Sequence, residues 1–178
     1  MNKNGSKKKI LRLIHIIGLP GAGKTTLSNR LKKHLRLKGF TIGEFRARFP
    51  KTPEGEADAW IKLYTALSRK RWHNCILETT GLNSREGFLR DAFPFGKIIT
   101  IKLLAPRNAL YARIRLKKPS ERGGQWLFSE SLPDKFAFVR ELFDAFKQIP
   151  AEICIQTGRM TKEQVFRKVL SELKRWEA

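Results

Sequence analysis

Acid is what this sequence is shortest of. Sixteen Asp and Glu stand against 37 Lys and Arg in 178 residues, a formal net charge of +21 at pH 7. A surplus of that size points to polyanionic partners, nucleic acid or phosphorylated substrates, or to solubility alone. The basic residues run along the whole chain, so their number does not choose between these readings. Cysteine is scarcer, with only Cys75 and Cys154. No C-x-x-C and no Cys/His pairing at zinc spacing occurs, which argues against a zinc site and a disulfide-stapled fold. Both cysteines fall in stretches that read as interior strands, so buried thiols are expected. No stretch approaches the ~20 apolar residues of a membrane span. Lys7-Lys8-Lys9 before an apolar run has the outline of a secretory leader, but Arg12 and His15 interrupt that run. A soluble, cytoplasmic protein with no membrane partner is expected. There is no Asn-Lys-x-Asp run after a strand, so guanine recognition of the GTPase kind lacks its residues. His15, His34 and His73 are scattered and read as structural or surface residues.

What the chain does have is enough apolar content, 41% of residues, to build one core. Its most specific feature is Gly18-Leu19-Pro20-Gly21-Ala22-Gly23-Lys24-Thr25, which satisfies G-x-x-x-x-G-K-[ST]. Glycine tolerates the positive φ that turns backbone N–H groups inward around phosphate oxygens. A helix starting there adds unpaired N–H groups and a positive dipole end. The pattern predicts that Gly18, Gly21, Ala22, Gly23, Lys24, Thr25 and Thr26 hold the phosphates of ATP. Lys24 would reach the β- and γ-phosphates, and Thr25 would give its hydroxyl to Mg²⁺. The flanks agree: Ile10 to Ile17 reads as an apolar strand, and Leu27, Leu31 and Leu35 recur at helical spacing.

Further along, strands and helices alternate. A helix is expected to about Lys38, stopped by Gly39, then a strand over Phe40 to Phe45. A helix over Glu54 to Arg71 would turn Trp60, Leu63, Tyr64 and Leu67 to one side. Cys75-Ile76-Leu77 is a buried strand ending at Glu78, followed by a short helix from Asn83 to Asp91. Lys97 to Leu104 is a fourth strand, and Pro106 opens a helix to about Lys117. Residues 118–132 form a lid-like loop, Asp134 to Gln148 a helix, and Glu152 to Gln156 a fifth strand. Thr161 with Gln164 caps the last helix. This order predicts an α/β fold, one P-loop domain over residues 10–178 behind a basic tail (1–9). A five-stranded parallel sheet would carry helices on both faces. Ligands then bind beyond the carboxyl ends of the strands, so Gly18, Glu44 and Glu78 should converge.

Glu78 is placed to hold Mg²⁺ opposite the loop. Glu44, at the predicted end of the second strand, is a candidate to orient and deprotonate an acceptor hydroxyl. Arg46 and Arg48 are candidate ligands for an anionic acceptor, and if the strand continues past Phe45, alternation would set them on one face with Glu44. Arg113 and Arg122, before and within the lid, are candidates to neutralise charge on the transferred group.

On these residues the chain resembles the P-loop kinases of the nucleoside-monophosphate-kinase-like group. Leu77-Glu78-Thr79-Thr80-Gly81, then Asn83 and Arg85, resembles the end of strand three in the zeta-toxin-like and polynucleotide-kinase-like branches. Ala105-Pro106 with Leu110 and Arg113 resembles their fourth strand and the helix leading to the lid. The resemblance implies that Glu44 acts on the acceptor hydroxyl and that Arg85 binds substrate. In those branches an arginine follows the acid by three residues, where this chain has Ala47 between Arg46 and Arg48. The run from Gly18 to Arg46 also resembles adenylylsulfate kinase, whose Asp-Gly-Asp is approximated by Ile42-Gly43-Glu44. The implied activity is transfer of the γ-phosphoryl of ATP to a small-molecule or nucleic-acid acceptor, with a lean toward a nucleotide or a nucleic-acid 5′-hydroxyl. The competing expectation is a nucleotide-dependent nucleic-acid-binding ATPase that phosphorylates no acceptor.

Overall fold

A computed structural model of the chain describes residues 12–69, 74–82, 97–118 and 134–177. Five strands form one sheet: β1 (Arg12–Gly18), β2 (Lys38–Thr41), β3 (Cys75–Thr79), β4 (Lys97–Leu104) and β5 (Ile153–Gln156). All pairings are parallel, in the order β2-β3-β1-β4-β5. The helices are α1 (Lys24–Leu35), α2 (Ile42–Arg46), α3 (Pro53–Arg69), α4 (Arg107–Arg115), α5 (Lys135–Gln148) and α6 (Lys162–Glu177). The expected α/β fold of the P-loop type is present. The tail, the helix expected over Asn83 to Asp91 and the lid beyond Lys118 lie outside the described residues.

Side-chain alternation splits the core into two layers. Ile14 and Ile16 of β1, Ile99, Ile101 and Leu103 of β4, and Ile153 and Ile155 of β5 pack with Leu27 and Leu31 of α1 and Val169 and Leu173 of α6. Leu13, Phe40, Cys75 and Leu77 pack with Trp60, Leu63 and Leu67 of α3. The predicted inward face of α3 is therefore correct, with Tyr64 half-buried at its margin. Removing such a side chain, Leu63→Ala for instance, costs about 2–5 kcal/mol in general.

Polar groups inside the sheet are satisfied. His15 Nε2 lies 2.8 Å from Thr79 Oγ1 across the β1–β3 pair. Lys102 is buried in β4 and donates from Nζ to the carbonyls of Lys147 (3.0 Å) and Ile149 (2.5 Å) at the end of α5. The negative end of a helix dipole is a favourable place for such a cation.

The structure corrects several boundaries. α1 ends at Leu35, not near Lys38, because Arg36 takes the left-handed conformation (φ 54°) as C-cap. Gly39 accordingly sits inside β2, not at a helix stop. β2 ends at Thr41, whose hydroxyl accepts from Gly43 N (3.3 Å) and starts α2 where continued strand was expected. Cys154 faces solvent, because β5 alternates and Ile153 and Ile155 take the core side; Cys75 is buried as expected. The capping pair on α6 is confirmed in both directions. Thr161 N donates to Gln164 Oε1 (2.8 Å), and Gln164 N to Thr161 Oγ1 (3.2 Å).

Candidate active site

The loop between β1 and α1 owes its shape to two glycines. Gly23 has φ 99° and precedes α1 with no side-chain cap and no acid in the first turn. The first amides of α1 are therefore available to an anion. Gly21 has φ 83°, and a Cβ there would stand 2.8 Å from the carbonyl oxygen of Leu110. That closeness packs the loop against α4. Within the loop, Ala22 N donates to Leu19 O (3.1 Å), so this amide closes a turn. Lys24 Nζ donates to Gly18 O (2.7 Å) and Leu19 O (3.3 Å), which holds the ammonium across the loop.

Glu78 is the last residue but one of β3, beside β1 and in register with Ile16. Its Oε1 accepts from Thr25 Oγ1 at 2.7 Å, at the margin of the buried interior. The parallel sheet brings together a hydroxyl and a carboxylate 53 residues apart. Two hard oxygen donors beside a phosphate-binding loop fit a divalent cation of the Mg²⁺ type. Such an ion takes one or two protein oxygens and completes its shell with phosphate and water.

The P-loop, Glu78 and Arg113 line one pocket of about 590 Å³. Lys135 at the start of α5, Thr157 and Met160 after β5 and Lys162 at the start of α6 also line it. Gly18 lies at the foot of the loop, and Thr26 is on the pocket wall in the first turn of α1. Among the described residues, five cations, Lys24, Arg113, Lys117, Lys135 and Lys162, and one carboxylate line this pocket. That balance suits a polyphosphate.

Arg113 is fastened to the pocket. It donates to Thr157 O (2.7 Å), Thr157 Oγ1 (3.2 Å) and Gly21 O (3.4 Å). Thr157 is fully inside, its hydroxyl 3.1 Å from Leu104 O and 3.3 Å from Ala22 O. It joins the P-loop, the end of β4 and α4. Sequence reading passed over Thr157. The signal available was its place directly after a strand at the carboxyl end of the sheet. No sequence signal marks Lys135.

The expected acceptor side came out differently. Thr41 is the register partner of Glu78, so the ends of β2 and β3 do converge. Glu44 lies three residues on, exposed on α2, and neither it nor Arg46 nor Arg48 lines the pocket. The reading that put 44, 46 and 48 on one strand face fails because residues 42–46 are helical and Arg48 lies in the turn beyond α2. Arg46 turns to α3. Its Nε and Nη2 donate to Glu56 Oε2 (2.7 Å) and Oε1 (2.5 Å), and Glu56 also accepts from Trp60 Nε1 (2.7 Å). Arg48 is exposed, its guanidinium 5.4 Å from the centre of the Phe45 ring. Arg85 and Arg122 lie outside the described residues.

Comparison with known proteins bears on the family and the fold. A protein-family model described as AAA domain matches residues 14–131, about two thirds of the chain. Among curated proteins none matches. Solved structures of the same fold include a shikimate kinase from Aquifex aeolicus (21% identity, TM-score 0.59), with 92% of this chain and 96% of that one covered. A gluconokinase from Sinorhizobium meliloti superposes over 95% of both chains at 13% identity and a TM-score of 0.65. A shikimate kinase from Acinetobacter baumannii in complex with shikimate covers 94% of this chain and 95% of its own, at 18% identity and a TM-score of 0.62.

Proposed function

The chain belongs to the AAA domain family, and from that premise we propose that it is an ATP-dependent kinase passing the γ-phosphoryl group to a hydroxyl of a small molecule. The observation that carries the reading is the Thr25–Glu78 contact of 2.7 Å at the mouth of the P-loop. The similar solved structures named as shikimate kinases and a gluconokinase support a small hydroxylated acid as acceptor class. They lend nothing to a nucleic-acid 5′-hydroxyl, nor to an ATPase without an acceptor.

The proposed roles follow from position. The amides of the P-loop and Lys24 hold the donor phosphates. Thr25 and Glu78 hold Mg²⁺, which when bound neutralises charge on the β- and γ-phosphates. Arg113 stiffens the loop through Gly21 O and Thr157, and presents its remaining positive charge to the transferred group. Arg122 in the lid segment is proposed to add a second charge. Glu44, carried by α2 past the register partner of Glu78, takes the proton of the acceptor hydroxyl. Arg48 and Arg85 are proposed to bind the acceptor's anionic group. Arg46 drops out of that set, because Glu56 already occupies its guanidinium.

The test is transfer of labelled γ-phosphate from ATP to a panel of shikimate, gluconate, sugars, nucleosides, nucleoside monophosphates, adenylylsulfate and 5′-hydroxyl oligonucleotides. Label is expected on one small hydroxyl compound and is expected to vanish in Lys24→Ala and Glu44→Gln. Label appearing only as free phosphate, with every acceptor blank, would overturn the proposal.

A further inference from the structure

The positive charge has a place in the fold that sequence order hides. In a parallel sheet every crossover helix runs against the strands, so α1, α3 and α5 end where β2, β3 and β5 begin. α6 lies alongside α1 in the same direction. Arg30 bonds Glu163, and one turn on the His34 and Phe166 rings meet edge-on at 5.5 Å. α6 therefore also ends at the amino-terminal edge of the sheet, opposite the P-loop. Exposed cations gather there: Lys33 and Arg36 at the end of α1, Lys38 at the start of β2, Arg69 at the end of α3 and Lys174 in the last turn of α6.

None of these five has an ion-pair partner among the described residues. The neighbouring acids are engaged elsewhere. Glu172 accepts from Arg175, Glu152 from Thr100 N, and Glu163 from Arg30 and Arg167. No acid precedes Glu44 in the chain, so the segment that builds α1 and opens β2 cannot neutralise itself. Helix dipoles favour cations in last turns, which accounts for Lys33, Arg69 and Lys174. They do not account for Lys38 on a strand, nor for Arg36 at φ 54°, where glycine is the ordinary occupant.

We propose that this end of the molecule binds the phosphate backbone of a single-stranded nucleic acid, as a tether distinct from the nucleotide pocket. Trp176, about one-third exposed beside Lys174 and Arg175, places at the patch a ring of the type on which bases stack. The only other exposed large apolar residues among those described, Ile61 and Leu116, are isolated on other elements. Among the described residues this end thus carries charge and one ring, with no cluster of exposed large apolar side chains beside them. The inference does not rest on the kinase reading, since the patch and the P-loop lie at opposite ends of the strands.

The test uses the full chain and the fluorescence anisotropy of dye-labelled single-stranded RNA and DNA of about twelve nucleotides, between about 50 and 200 mM salt. Five phosphate contacts give a slope of log affinity on log salt of roughly −3 to −4. The combined variant Lys33→Glu, Arg36→Glu, Lys174→Glu is expected to weaken binding at least about tenfold and flatten the slope by about 2. A control, Lys51→Glu, Lys62→Glu, Arg140→Glu, changes net charge equally on other surfaces and is expected to leave most of the affinity. Should the triple reversal unfold, the pair Lys33→Gln, Lys174→Gln carries the same comparison with a smaller loss. Equal losses in patch and control variants would mean that bulk charge alone acts, and would overturn the proposal. So would absence of binding at low salt, or retention on phosphatidylserine vesicles at a salt concentration where the oligonucleotides have dissociated.

Discussion

Arg46 and Glu56 offer the sharpest test, because two readings of the same arginine predict opposite phenotypes. Read as an acceptor ligand, Arg46 matters to substrate alone; its replacement would raise KM and leave stability untouched. The structure instead closes a two-bond fork between Arg46 and Glu56, with both side chains about nine-tenths buried. Glu56 accepts a third bond from Trp60, the largest side chain of the second core layer. Removing one partner of such a pair strands the other as a buried charge, which costs about 3–5 kcal/mol. For a chain of this size that corresponds to a fall in Tm of roughly 6–20 °C. Arg46→Met is therefore expected to melt far below wild type and to loosen α2 against α3. Combining it with Glu56→Gln removes the stranded charge and is expected to restore part of the loss, an interaction energy of about 1–3 kcal/mol in the double-mutant cycle. Thermal melts of the four proteins by circular dichroism supply the numbers. An Arg46→Met protein melting within a degree or two of wild type, with only acceptor KM raised, would refute the structural assignment.

Three further outcomes follow from the same geometry. Thr157→Val keeps the shape but strips the hydroxyl joining Arg113 to the P-loop. It is expected to cost about 1–3 kcal/mol and to raise the Kd for ATP severalfold, read by a melt and by calorimetric titration. Gly21→Ala forces a methyl against Leu110 O in a left-handed backbone; loss of ATP binding greater than loss of stability is expected, and unchanged Kd would contradict the packing account. Hydrogen bonds from Arg30 and then Arg167 hold the Glu163 carboxylate below its ordinary pKa. A lowered folded pKa gives stability that is present above the unfolded pKa and is lost as pH falls through the folded value. The small advantage of wild type over Glu163→Gln should accordingly shrink as urea melts are moved from neutral pH into the acid range. An advantage that grows with acid would have the wrong sign.

Much of the fold was legible because its causes are local. The spacing of Leu27 and Leu31, the run from Lys97 to Leu104, and the pairing of Thr161 with Gln164 are set within a few residues, where propensity and capping act directly. The P-loop belongs to the same class, since its chemistry is held in eight consecutive residues. Errors fell where local signals were even or misleading. Gly39 looked like a helix stop, yet Arg36 ended α1 in a conformation that glycine usually takes. Gly43 and Glu44 looked like strand, yet Thr41 capped a helix.

The sequence by itself determined the order of strands and helices, the nucleotide loop and the excess of positive charge, because each is written in contiguous residues. Only the tertiary structure decided who meets whom. It set Glu78 against Thr25 across 53 residues, tied Arg113 to Thr157, and spent Arg46 on Glu56. It also gathered the cations of α1, α3 and α6 at one edge. The reason is physical: a side chain's partners are fixed by strand register and helix packing, and those join residues whose separation along the chain carries no trace of their contact.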